Sequence, residues 1–429
     1  MSGRWEIKFK NICYGVSDNR GKGENTLVVT TPTVHIAVPV LAEEANISRL
    51  VRLYDQSEYP ARHLWICVNQ PDSWCQAGEE EREVVAQNHR TLQFFQTLGR
   101  NDITVIDRSS PGKGWPPKRQ GVGMARKTLM DAIARQASSE EVILSMDADT
   151  FWDPDYLTRV VQRLEAFPQA LALAVPYYHP LPQEAIAARA MLRYELYMRY
   201  YALNMYAREL PYARTALGSA IALRVAAYTR IGGMTPKAGG EDFYLLQKLA
   251  KAGLVLDHCE AVVRPSPRFS DRVPIGTGPA LRKGASGNWS GYPFYPASLF
   301  DEVKATFDAF PLLFHRHVET PMSPFLRAIF KEQDPWERLR NNFKTESLFV
   351  RACWEKVDGL RIRQYLRFRY LEQPADELTV LNDFLREKYA TFVPFTGFDE
   401  MPIARLNALR EALFQEELQA RRCHDENRG

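Results

Sequence analysis

The 429-residue sequence has no apolar run long enough to span a bilayer, which takes about 20 residues. Its first ten residues carry charges but no apolar core, so a signal peptide is not expected. The six cysteines, Cys13, Cys67, Cys75, Cys259, Cys353 and Cys423, are scattered with no CxxC spacing, which argues against a disulfide framework or a zinc site and for reduced thiols. No segment repeats at a 20–50-residue period, which excludes a solenoid or propeller. A net charge of +3 is too small to imply a nucleic-acid partner. These absences lead to the expectation of a cytoplasmic protein without a transmembrane segment, with peripheral membrane contact left open. What the chain does have is an ordinary globular composition, 45% apolar and 25% charged, with enough length for a large core. Its 19 tyrosines and 22 phenylalanines can build aromatic clefts or helix interfaces.

After a polar stretch over 1–32, short β-branched or apolar runs alternate with helical patterns. Strands are expected at 34–38, 63–68, 103–106, 142–146 and 171–175, and helices at 43–55, 79–98 and 118–136. Asp153-Pro154 reads as an N-cap with proline at the first helical position. Such alternation predicts parallel pairing with right-handed crossovers. A long helix is expected over 184–208 and a shorter one over 241–250. The Tyr194, Tyr197, Met198 and Tyr201 stripe of the long helix has helical spacing and reads as core. Residues 264–296 shift to Gly, Pro, Ser and Arg, the chemistry of a loop. Beyond 297 the chain reads as helices, among them 360–370, 377–388 and 403–419.

The most informative stretch is the apolar run from Val142 that ends in Asp147-Ala148-Asp149. It delivers two carboxylates at the carboxyl end of a strand, the edge where open α/β sheets bind ligands. Two hard oxygen donors there suit Mg²⁺ or Mn²⁺ beside a diphosphate. On these residues alone, a solvated turn with a helix cap is the other reading.

The surroundings of this motif carry a resemblance. Pro39, Glu43, Glu44, Asn46 and Tyr59-Pro60 are followed by Lys113-Gly114, then Gly121, Gly123, Ala125 and Arg126. After Asp147-Ala148-Asp149 come Gly218-Ser219-Ala220, Gly232-Gly233-Met234 and Gly240-Glu241-Asp242. In order and spacing the stretch from 33 to 263 resembles the family-2-type glycosyltransferases of the GT-A fold. That resemblance implies a Rossmann-like mixed sheet, an α/β nucleotide-diphospho-sugar transferase domain over 33–265. Around it lie an extension over 1–32, a Gly/Pro/Arg-rich loop over 266–296 and a helical C-terminal region over 297–429.

The resemblance also implies roles. Pro39, Val40 and Glu43 would border the nucleotide, together with Asn69, Lys113, Arg126 and Asp147. Asp149, with Asp147, would hold Mn²⁺ or Mg²⁺. Asp242 would be the general base, with Glu241 as its neighbour or alternative. Arg268 and Arg272 could clamp the diphosphate from a mobile loop, or sit in a solvated basic one. His258 is a candidate third metal ligand, and a structural histidine is the plainer reading. Trp115, Trp289 and Tyr292 could stack on a sugar or simply pack.

The sequence departs from the family where aspartates follow the second strand. It has Asn69 and Asp72, which leaves the donor base open. The QxxRW signature of processive synthases is absent. The implied function is therefore a nonprocessive, inverting, metal-dependent transfer from a nucleotide sugar to a hydroxyl acceptor. Two alternatives stand beside it. A sugar nucleotidyltransferase should carry a glycine-rich loop after the first strand, where Pro39-Val40-Leu41-Ala42-Glu43-Glu44 has no glycine. A non-catalytic nucleotide-sugar-binding protein on the same fold would not need its acids intact.

Overall fold

The runs at 34–38 and 63–68 place apolar side chains on both sides of an extended backbone, so strands built from them need cover on both faces. In the computed structural model seven strands form one sheet among the described residues. They are β1 (Val34–Val40), β2 (Arg62–Asn69), β3 (Ile103–Arg108), β4 (Val142–Ser145), β5 (Ala170–Ala174), β6 (Ile221–Arg224) and β7 (Leu254–Leu256). The structure describes residues 31–429 except 77, 238, 270–275 and 429. Nearly all of the expected 1–32 extension, with Cys13, lies outside the described residues, and so does Arg272. Pro32 to Gly429 form one compact unit.

The strand order is β3-β2-β1-β4-β6-β5-β7. β1 pairs in parallel with β2 and β4, β2 with β3, and β5 with β7. β6 runs antiparallel between β4 and β5. The wholly parallel pairing predicted by alternation thus fails at β6. Gly218 and Ser219, just ahead of β6, already lie at the carboxyl edge of the sheet, so the strand starts there and must run back. The result is the mixed sheet that the resemblance implied.

Seven helices accompany these strands: α1 (Glu44–Gln56), α2 (Glu79–Leu98), α3 (Val122–Ala134), α4 (Tyr156–Ala166), α5 (Ala185–Ala207), α6 (Val225–Arg230) and α7 (Glu241–Ala252). α1 buries Ile47, Leu50, Val51 and Tyr54, the stripe its period predicts. Glu184 caps α5, accepting from the backbone N–H groups of Ile186 and Ala187. α4 starts two residues later than the Asp153-Pro154 pair suggests. The Asp153 carboxylate instead receives the Arg264 guanidinium at 2.9 Å through each oxygen.

The stretch read as loop contains α8 (Thr277–Ala285), whose Gly284 lets the Trp289 ring lie where a Cβ would clash at 2.1 Å. The remaining helices are α9 (Ala297–Asp308), α10 (Phe310–His315), α11 (Ser323–Phe330), α12 (Glu337–Asn342), α13 (Glu346–Lys356), α14 (Gly359–Glu372), α15 (Glu377–Lys388) and α16 (Ile403–Glu426). None of the described helices is long and apolar enough to cross a membrane. Cys67, Cys75, Cys259, Cys353 and Cys423 are free thiols.

Apolar clusters cover the two faces of the sheet, and a third joins α5 to the C-terminal helices. Buried charge ties the last helix to this core. Glu417 on α16 accepts from Arg199 of α5 at 2.8 Å and from Arg421 at 2.7 Å. Arg421 also donates to the Ala174 and Asp257 carbonyls at the ends of β5 and β7. All three side chains are at most 1% exposed. Removing one partner from such a group strands the others in a poor solvent. Glu417→Gln should therefore lower unfolding stability by about 3 kcal/mol or more. The check is the urea midpoint, and an unchanged midpoint would show that α16 does not depend on this contact.

Candidate active site

The strand order reverses direction about β1, and the carboxyl ends of β1 and β4 lie side by side, the place where an α/β sheet opens a crevice. A cavity of about 620 Å³ lies there. The exits of β1 and β2 supply Pro39, Leu41, Glu43 and Asn69 to its wall, and the exit of β4 supplies Asp147 and Asp149. Gly218 and Ser219 ahead of β6, Glu241 and Asp242 at the start of α7, and Arg268 complete this side.

One buried guanidinium connects these pieces. Arg126, in the first turns of α3, donates through Nε to Glu241 at 3.0 Å and through Nη2 to Asp147. Its Nη1 donates to the Ser145 hydroxyl at 2.5 Å and to the Gly218 carbonyl at 2.9 Å. Burial works against the Arg126 charge, but Asp147, Glu241 and Asp242 outweigh it and hold its pKa above the ordinary value. Two glycines make the approach feasible. A Cβ on Gly218 would lie 2.2 Å from Arg126 Nη2, and one on Gly123 would lie 2.2 Å from the Lys237 carbonyl oxygen. Asp147 is fixed from its other side by the Ser219 hydroxyl, which donates to Oδ2 at 2.7 Å.

A second guanidinium lies across the next acids. Arg268 Nε is 2.9 Å from Asp149 Oδ2, and both of its terminal nitrogens reach the Glu43 carboxylate. Glu43, Asp147 and Asp149 thus present hard oxygen donors to one corner of the cavity, with Arg268 supplying positive charge beside them. Mg²⁺ and Mn²⁺ take oxygen donors of this kind, although these three side chains, engaged by Arg126 and Arg268, are not among the described groups whose ligand atoms gather within 4.8 Å of one another.

Asp242 follows Glu241 at the start of α7, partly exposed at the cavity wall. Burial, then the charge of Glu241, raises its pKa from the ordinary 3.8 to about 7, against the pull of Arg126. A carboxylate poised near neutrality at a cavity wall can accept a proton from a bound hydroxyl.

Other residues singled out in the sequence have different places. Val40 is fully buried in β1 and meets the site only through its carbonyl, which accepts from Asn69 at 2.9 Å. The Asn69 amide is engaged within the protein, its oxygen accepting from Trp115 Nε1 at 3.1 Å. Trp115 is core, with Arg108 over its ring. Asp72 holds the backbone of Gly112 and Gly114. Lys113 pairs with Asp107 at 3.0 Å and does not line the cavity. Trp289 packs under Arg193, whereas Tyr292 does line the cavity.

His258 lies outside the cavity lining. Its ring Nε2 is 3.3 Å from Glu260, and burial lowers its pKa. Beside it, Asp257, His424 and Asp425 have metal-ligating side chains close together. Their carboxylates already serve Arg214, Arg163 and the backbone N–H groups of Asp257 and His258, which leaves no anionic pair for an ion.

The opposite wall is made of residues that the sequence does not mark as functional. Tyr194, Tyr197, Met198 and Tyr201 of α5 line the cavity, so the stripe read as core is also a wall. His179, Arg214 and, from the C-terminal region, Gly359, Leu360 and Arg363 line it too. A helical stripe looks the same in sequence whether it faces side chains or a cavity. Nothing local in the sequence places α14 against this sheet.

A parallel sheet half joined through an antiparallel strand to a second half, with two aspartates at the β4 exit, is the arrangement of the GT-A fold. The profile of "Glycosyltransferase like family 2" matches residues 32–263, more than half of the chain, and the chain belongs to that family. No curated protein matches it in sequence. Among solved structures it is similar to a mannosyltransferase of Pyrobaculum calidifontis in complex with GDP-Man and Mn²⁺, with 14% identity, TM-score 0.36, and coverage of 92% of this chain and 87% of that one. It is also similar to S. aureus TarS 1–349 in complex with UDP-GlcNAc, with 12% identity, TM-score 0.41, and coverage of 80% and 92%. A third is glucosyl-3-phosphoglycerate synthase of Mycobacterium tuberculosis with Mn²⁺, UDP and glucosyl-3-phosphoglycerate, with 16% identity, TM-score 0.31, and coverage of 55% and 70%.

The raised Asp242 pKa has a stability consequence with a definite sign. The unfolded chain releases this proton near 3.8 and the folded chain near 7, so ionising Asp242 destabilises the fold progressively across that window and fully above it. Asp242→Asn removes the penalty. Its melting temperature should exceed that of the wild type by more at pH 8 than at pH 5. An equal difference at the two pH values would contradict the assignment.

Proposed function

We propose that the chain is a nonprocessive, inverting glycosyltransferase that moves a sugar from a nucleoside diphosphate to an acceptor hydroxyl. Residues 33–265 are taken as its catalytic domain and 297–429 as a helical region that closes the far wall. The observation that carries the reading is that Asp147, Asp149 and Asp242 all line one cavity at the carboxyl edge of the sheet.

In this reading the nucleotide lies along Pro39, Leu41 and Glu43, with its diphosphate toward Asp147 and Asp149. Glu43, Asp147 and Asp149 would hold Mn²⁺ or Mg²⁺, which offsets charge on the leaving diphosphate when bound. Arg126 keeps Asp147 and Glu241 in a fixed relation, so the acidic corner and the start of α7 do not drift apart. Arg268 is a further cation within reach of the diphosphate. Asp242 takes the proton of the acceptor hydroxyl as its oxygen bonds to the anomeric carbon. The bond from that carbon to the phosphate oxygen breaks on the opposite side, and the electron pair leaves with the nucleoside diphosphate. A single displacement of this kind inverts the anomeric configuration.

The test is a panel of nucleotide sugars with Mn²⁺ or Mg²⁺, reading release of nucleoside diphosphate. Asp149→Ala should lose metal-dependent turnover. Asp242→Asn should still bind donor while transfer falls by about 100-fold or more, the typical weight of a general base. Normal transfer by Asp242→Asn would remove the base assignment. Metal-independent turnover would remove the metal.

A further inference from the structure

The arginines around the cavity are not equivalent. Arg126 is paired with Asp147 and Glu241, Arg268 with Glu43 and Asp149, and Arg214 with Asp257. Arg363, on α14, lines the same cavity and is exposed, yet no carboxylate among the described residues pairs with it. It stands among Tyr197, Tyr201, Tyr292 and Tyr295, close enough to interact electrostatically with each. The tyrosine wall then leads toward the proposed base. Tyr292 meets Tyr194 and Tyr197 edge-on, each with ring centroids 5.4 Å apart, and Tyr194 lines the same cavity as Asp242.

We infer that Arg363 and the tyrosine wall beside it form a subsite for an anionic group, phosphate or carboxylate, carried by the acceptor. An arginine fork held in a cavity with aromatic walls matches a phosphate or carboxylate in two hydrogen bonds. In the transferase reading the donor's own diphosphate lies toward Asp147 and Asp149, with Arg268 as its cation. The tyrosines that line the cavity together with Arg363 and Asp242 suit the ring or carbon skeleton of a polyol, whose hydroxyl would then point to the base. The inference rests on the transferase reading above and adds the chemical class of the acceptor. The anion can belong to a soluble ester or to a lipid headgroup, which the experiment separates.

Binding is measured with Mn²⁺ and saturating UDP or GDP present, and again without nucleotide. The soluble probes are glucose 6-phosphate and glycerol 3-phosphate, with glucose and glycerol as neutral partners, by calorimetry. The lipid probe is phosphatidylglycerol vesicles, by co-sedimentation. The expected result is at least about tenfold tighter binding of the anionic probe than of its neutral partner, the scale of a hydrogen bond to a charged group. Arg363→Met should lose that preference and Arg363→Lys should keep part of it. Binding of the soluble esters alone, or of the vesicles alone, supports the subsite and assigns its source. Equal affinity for charged and neutral probes, no binding of either kind of anion, or unchanged anion affinity in a folded Arg363→Met overturns it. The nucleotide-free titrations make the subsite testable apart from donor binding. Failure of the wild type to bind either nucleotide would count against the transferase reading instead.

Discussion

At one corner of the sheet's carboxyl edge lie the carboxylates of Glu43, Asp147, Asp149, Glu241 and Asp242, with the Arg126 guanidinium paired to Asp147 and Glu241 and that of Arg268 to Glu43 and Asp149. Buried charge of one sign must be paired or neutralised. The protein meets this constraint in two ways. Arg126 is enclosed where it can reach two acids at once, which fixes β4 relative to α7. Asp242, desolvated by burial and set beside the Glu241 charge, holds its proton toward neutral pH. The corner therefore places a carboxyl that titrates toward neutral pH beside the acids proposed to hold a cation.

The opposite side of the cavity is governed by the C-terminal helices. α16 is bound through Glu417 and Arg421 to α5 and to the ends of β5 and β7. Arg410 on the same helix donates to the His179 carbonyl at 2.9 Å and reaches Glu195 at 3.2 Å, and Glu195 accepts from His179 at 2.7 Å. His179 and Arg214, both cavity residues, thus depend on α16 and on the Asp257 carboxylate. The contacts that hold this wall join residues far apart in the chain, so its shape is a property of the assembled unit. The helical region belongs to the site as much as to the fold.

Much of the first half was legible in the sequence, because its signals are local. Continuous apolar runs marked β1, β2 and β4, and the Ile47, Leu50, Val51 and Tyr54 stripe marked α1. The aspartates after β4 and the Gly240-Glu241-Asp242 start of α7 mark the acidic corner. The reversal at β6 was hidden because four residues carry no sign of direction. α8 was hidden in a Gly- and Pro-bearing stretch, where composition spoke for a loop. The cavity role of Tyr194, Tyr197 and Tyr201 was hidden because helical spacing does not say what a face looks at. Arg363 was illegible for a stronger reason: its significance lies in meeting no carboxylate among the described residues, which only the folded chain reveals.

Whether the acidic corner binds a cation and a diphosphate as one unit decides the rest. The most direct measurement is the affinity of the wild-type chain for UDP and for GDP with Mn²⁺ present and with EDTA in its place. Linked binding predicts that one nucleotide binds at least about tenfold more tightly with the ion. Equal affinity under the two conditions would contradict it, because these carboxylates would then be serving the fold alone.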